Sequence, residues 1–158
     1  MSDCPVDITR MQPVDSIEGD SIDDTKLLRE MAREAHDFMR EQEWCECIDH
    51  QYLAYGVGGV VAVFLFQITP TSEDVDSFLW VIVGDLPPAF LVVDDNPTAS
   101  DAIEGYCVEM MAWVEAAEAG ESLDDLIPVN APPTPGNIQQ LKGRLDFLRS
   151  EIIPRAKA

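Results

Sequence analysis

From Glu41 to Leu141 the chain contains neither lysine nor arginine, although 18 carboxylates fall in that stretch. Net charge is about −5 over residues 1–40, −18 over 41–141 and +3 over 142–158, which makes up the total of −20. A surface with this imbalance repels phosphate-rich polymers and anionic bilayers. The expected partners therefore include no nucleic acid and no membrane. The missing guanidinium and ammonium groups also remove the usual clamp for an anionic metabolite.

Other absences narrow the class further. The longest apolar run, Leu53 to Phe66, is too short for a spanning helix and carries three glycines among its valines, so it reads as sheet. The first twenty residues lack a basic-then-apolar leader; they are acidic and turn-prone, with Pro5, Pro13 and Gly19, and the expectation is a cytoplasmic protein. Cys4, Cys45, Cys47 and Cys107 then read as reduced thiols. Acidic excess alone also fits selection for solubility, or a saline habitat in which screening removes the self-repulsion.

What is present suits a single globular domain. A chain of 158 residues with 46% hydrophobic content is long enough to bury roughly 70% of its unfolded surface. Residues 1–20 show no apolar period and read as a flexible acidic arm, leaving 21–158 as one α+β domain. Ser21 with Asp24 resembles a capping box, and Leu27, Leu28, Met31, Ala35, Phe38 and Met39 follow at helical spacing, predicting a helix from about Ile22 to Gln42.

The period then changes. Tyr52 to Tyr55 and Val60 to Ile68 read as strands joined through Gly56-Val57-Gly58-Gly59, with further strands at Phe78 to Val83 and Ala89 to Val93. Thr98 opens and Gly120 closes a helix striped by Ala102, Ile103, Tyr106, Met110, Trp113 and Val114. After a proline-rich connector, Thr134 and Pro135 start a last helix over 134–153. Its residues Ile138, Leu141, Leu145, Leu148 and Ile152 fall three and four apart, as in a coiled-coil seam. The expected architecture is an N-terminal helix, an antiparallel sheet of three or four strands, and two C-terminal helices, all covering one sheet face.

The segment Trp80-Val81-Ile82-Val83-Gly84-Asp85-Leu86-Pro87, followed by Ala99, Ala102, Ile103 and Trp113, resembles a small bacterial domain family of unknown function. Its members carry a W-x-[IV]-x-G-D-L-P strand-and-turn motif before an alanine-rich helix. The likeness spans residues 25–118 and implies an α+β fold. It supplies no activity, and the present chain departs from it in lacking basic residues there and in adding a C-terminal helix.

Three chemical readings compete. Cys45, Cys47 and His50 are the metal candidates: thiolates and an imidazole suit a structural zinc, although zinc wants about four ligands and Cys-x-Cys is a poor chelating spacing. No other cofactor is expected. Asp85, at the turn ending a buried strand, together with Trp80, Trp113 and Tyr106, forms a candidate pocket for a small molecule or an enzyme's substrate. Neither Gly56 to Gly59 nor the acid pairs Glu73-Asp74, Asp94-Asp95 and Asp124-Asp125 has the flanking pattern of a phosphate or calcium loop.

The reading favoured by the charge is a non-catalytic acidic interaction module for a basic protein partner, of the inhibitor or immunity type. The C-terminal helix, with its seam and with Lys142, Arg144, Arg149 and Arg155, is expected to pack on an acidic part of this chain or of a twin subunit in a homodimer.

Overall fold

The computed structural model describes residues 6–129 and 131–157. In chain order the elements are β1 (Gln12–Pro13), α1 (Ile22–Arg40), β2 (Cys45–Val57), β3 (Val61–Pro70), β4 (Phe78–Gly84), β5 (Ala89–Val92), α2 (Ala99–Ala119), α3 (Pro135–Phe147) and α4 (Ile153–Lys157). The strands form one antiparallel sheet in the order β1-β2-β3-β4-β5. The class is α+β, and the strand count is five rather than three or four. The additional strand is the two-residue β1, whose Gln12 and Pro13 pair with Leu53 and Tyr52. Two residues carry no alternation, so no pattern announces them.

The N-terminal segment is thereby tied down from Gln12 onward, and Ile17 behind it is fully buried against α1. Of the expected 1–20 arm, Cys4 and its neighbours lie outside the described residues. Where a sheet edge is paired and an apolar side chain is sealed, the surrounding polar sequence does not keep the backbone loose.

Helices cover both faces of the sheet, a second departure from expectation. Val61, Val63 and Leu65 of β3 join Trp80 and Ile82 under α2 and α3. The intervening Ala62, Phe64 and Phe66 join Val81 and Val83 under α1. Side chains alternate along a strand, so burial on both sides demands apolar residues at every position. That is the physical meaning of the unbroken run in β3.

Local signals account for the element ends. Ser21 Oγ accepts from the Asp24 amide at 3.0 Å, but Asp24 does not close a reciprocal box. Its carboxylate instead takes the amides of Asp20 and Gly58, both at 2.9 Å, which pins the β2–β3 turn to the start of α1. Gln51, midway along β2, performs a similar task, donating to the Ala32 carbonyl at 2.8 Å from a buried position. Thr98 and Thr134 cap α2 and α3, and Gly120 ends α2 at φ +69°.

The last helix runs further than its pattern suggests. From Phe147 it continues through a π turn (Leu148–Ile152) into α4, ending at Lys157. Pro154 has no amide to give Ser150 and its ring crowds that carbonyl, and the widened turn just before it absorbs the conflict. Ile138, Leu141, Leu145, Leu148 and Ile152 are all buried in the chain's own core beneath this helix. The seam is completed by α2 and the sheet of the same chain.

Candidate functional site

Electrostatics set the character of the surface. Of the 18 carboxylates between residues 41 and 141, all but Asp101 and Glu104 are exposed. Three ion pairs form among the described residues: Lys142–Glu118 at 3.8 Å, Arg144–Asp85 at 3.2 Å and Lys157–Glu104 at 2.9 Å. Each joins a cation of the C-terminal helix to an acid of the central region. The basic end of the chain is thus folded back on its own acidic body, and 15 of the 18 carboxylates have no cationic partner among the described residues. Each pair is exposed to solvent and adds little to stability. Their main consequence is to remove positive charge from the surface.

The pocket expected around Asp85 does not gather its four residues. Trp80 is fully buried between sheet and helix, its Nε1 donating to the Asn96 carbonyl at 2.6 Å. Tyr106 is equally buried, its hydroxyl donating to the Pro87 carbonyl at 2.6 Å, and burial pushes its phenol well above the ordinary tyrosine range. Both rings are wall material with their polar atoms already satisfied. Asp85 and Trp113 do share a hollow of about 200 Å³ with Gln140 and Arg144. The Asp85 side chain is 71% exposed there and paired with Arg144, so it is a solvated anion held by a guanidinium. Its amide donates to the Val60 carbonyl at 3.0 Å, a turn-shaping role.

The metal candidates are not assembled either. Cys45, Cys47 and His50 all lie on β2, with His50 inside the strand rather than in a loop. β2 is irregular here, with register shifts between Cys45 and Cys47 and between Ile48 and His50, and Cys45 packs toward the α1 core while Cys47 and His50 are exposed. Among the described residues no group of three or more His, Cys, Asp or Glu side chains is placed to hold a metal. Cys45 turns toward α1, where burial raises its thiol. Cys47 is exposed, and its hydrogen bond to Asp49 raises its thiol as well. Cys107 is buried under Arg149, with burial lifting its thiol to about 11. All three are shifted away from the thiolate that a nucleophile or ligand needs.

A different feature emerges at the sheet margin. β5 is the terminal strand, paired with β4 through Leu79–Val92, Trp80–Leu91, Val81–Phe90 and Ile82–Ala89. Beside it runs a trough of about 660 Å³ between the C-terminal end of α1 and the segment 125–129. Phe90 forms one wall with Phe38, ring centroids 6.3 Å apart, and Trp44 backs Phe90 with its ring centroid 4.9 Å away. Leu126 and Ile127 form the other wall, and Glu41, Glu109 and Asp125 stand on the rim. All three rim acids are exposed.

Sequence reading missed this trough because its walls come from three separate parts of the chain, around Phe38, Phe90 and Leu126, each more than thirty residues from the next. One signal was available: Leu126-Ile127 is a pair of large apolar residues in a connector that belongs to no strand or helix. Asn96 also went unnoticed. It is buried and holds the exit of β5, its amide donating to the Val93 carbonyl and its Nδ2 to the Val92 carbonyl, both at 2.9 Å. Gly105 of α2 packs directly on it, where a Cβ would meet Asn96 Oδ1 at 2.6 Å.

Among the described residues no helix is long and apolar enough to cross a membrane. Comparison with protein-family models, with curated proteins and with solved structures gives no match to this chain.

Proposed function

We propose that this protein is a non-catalytic acidic interaction module whose partner is a basic protein, in the manner of an inhibitor or immunity protein that covers a cationic surface. The observation that carries the reading is the charge arrangement. Among the described residues, fifteen exposed or half-exposed carboxylates between residues 41 and 141 lack a cationic partner, and three of the five cations of the C-terminal helix are paired against the same body. Such a field accelerates encounter with an oppositely charged protein and repels like-charged ones. At physiological salt it decays within about 8 Å, so it acts on approach and at contact.

Further support comes from what the polar side chains are doing. Trp80 and Tyr106 satisfy backbone carbonyls, and Asp85 answers Arg144, so three of the four residues that first suggested a pocket have structural tasks. The test is affinity capture from lysate at low and at raised salt. Enrichment of proteins with high isoelectric point, released by about 0.3 M salt, is expected, since the Debye length shrinks toward 5 Å. Recovery of neutral or acidic proteins alone, or recovery indifferent to salt, refutes the assignment.

A further inference from the structure

We infer that the open edge of β5 is where the partner seats: the trough takes an extended segment of a basic protein as a sixth strand. This deepens the reading above and rests on it, because the occupant's charge is taken from the acidic surface.

The backbone supplies the first ground. A terminal strand directs the N–H and C=O groups of alternate residues away from its neighbour, where they can pair with an incoming chain; in β5 the Val92 carbonyl already accepts from Asn96 Nδ2, which leaves the groups before it for that pairing. The segment 125–129 lies alongside, yet among the described residues no backbone hydrogen bond joins it to β5. It stands off by the width of the trough instead. The volume of about 660 Å³ lies within the usual range for ligand sites, about 300–1,000 Å³.

The side chains supply the second. An added strand would send its residues alternately toward Phe90 and Phe38 on one side and toward Leu126 and Ile127 on the other. Apolar residues at the centre of the segment suit both walls. Glu41, Glu109 and Asp125 on the rim call for lysine or arginine at its flanks. A second copy of this chain would bring like charges together at that rim, so the charge selects a different, cationic protein. Main-chain bonds then give affinity while the pockets and the rim give selectivity, the usual division in strand addition.

The test uses the full chain and a short peptide of alternating valine and tyrosine flanked by lysine pairs. Three probes accompany it: the same peptide with alternate backbone amides N-methylated, a scrambled lysine-rich peptide without the apolar centre, and the variant Glu41→Lys/Glu109→Lys/Asp125→Lys. Binding is read by fluorescence anisotropy, and amide hydrogen exchange follows residues 89–92.

The expected result is binding at low salt with slowed exchange over 89–92. N-methylation and the triple variant should each weaken binding by at least about tenfold, or 1.4 kcal/mol. If the N-methylated and scrambled peptides bind as well as the parent, with exchange at β5 unchanged, strand addition is wrong while acidic docking stands. If no lysine-bearing peptide binds even at low salt, both readings fall. Exchange at 89–92 that slows with protein concentration alone would assign the edge to a second copy and overturn the proposal.

Discussion

Replacing Leu145 by alanine separates two accounts of the C-terminal helix. Leu145 is completely buried among α2, the sheet and its own helix. Truncation removes the transfer energy of the lost methyl groups and leaves a partly unfilled cavity, together about 3 kcal/mol. Phe147, two residues on, is 45% exposed and serves as the control; Phe147→Ala should cost no more than about 0.5 kcal/mol. For a chain of this size each kilocalorie lowers the melting midpoint by about 2–4 °C, so the Leu145 variant should melt roughly 6–12 °C lower. Urea unfolding followed by the fluorescence of buried Trp80 and Trp113 measures both changes. The midpoint should not move with protein concentration, because the seam is closed within one chain. A cost below about 1 kcal/mol, or a midpoint that climbs with concentration, would mean that the helix is finished by a neighbouring copy and that this account of its packing is mistaken.

Gly84→Ala should be among the most damaging exposed-looking substitutions, because φ is +146° and a Cβ would run into the Val60 carbonyl; a loss of about 2–4 kcal/mol is expected. Gly143→Ala, where a Cβ meets nothing within 4 Å on the helix surface, should instead gain up to about 1 kcal/mol, and thermal melts of the pair compare the two. Alkaline titration should destabilise the fold. Cys107 rises from its ordinary value of 9.0 to about 11 through burial, and Tyr106 shifts upward for the same reason. The unfolded chain therefore loses these protons first, and stability is intact below about pH 9 and declines as pH climbs toward 11. An unfolding free energy that stays level over that window, followed by denaturant titration, would contradict their buried placement. Finally, with a net charge of −20, adding salt at neutral pH or moving from pH 7 toward 5 should raise the melting midpoint by relieving self-repulsion; a midpoint that falls in both experiments would show the charges to be mutually compensated.

The helices were legible because each writes its ends and its face into contiguous sequence. Ser21, Thr98 and Thr134 accept the amide bonds their positions predict, and Gly120 takes the left-handed conformation at the end of α2. The α2 stripe of Ala102, Ile103, Tyr106, Met110, Trp113 and Val114 is buried as its period requires. The hairpin through Gly58 and Gly59 and the strand at Phe78 were equally readable. β2 was placed too late, at Tyr52 instead of Cys45, because its first half alternates thiols and charged groups along a rim that water reaches.

Charge and the caps were determined by the chain alone: carboxylate count, the 101-residue gap without a cation, and the helix boundaries depend on residue identity and near neighbours. Only the folded molecule decided which sheet face α1 covers, that the basic helix answers its own acids, and that a trough opens beside β5. Each of those depends on residues tens of positions distant meeting across the sheet. Sequence separation carries no information about such meetings until the backbone hydrogen bonds and the two apolar layers have fixed where every strand lies.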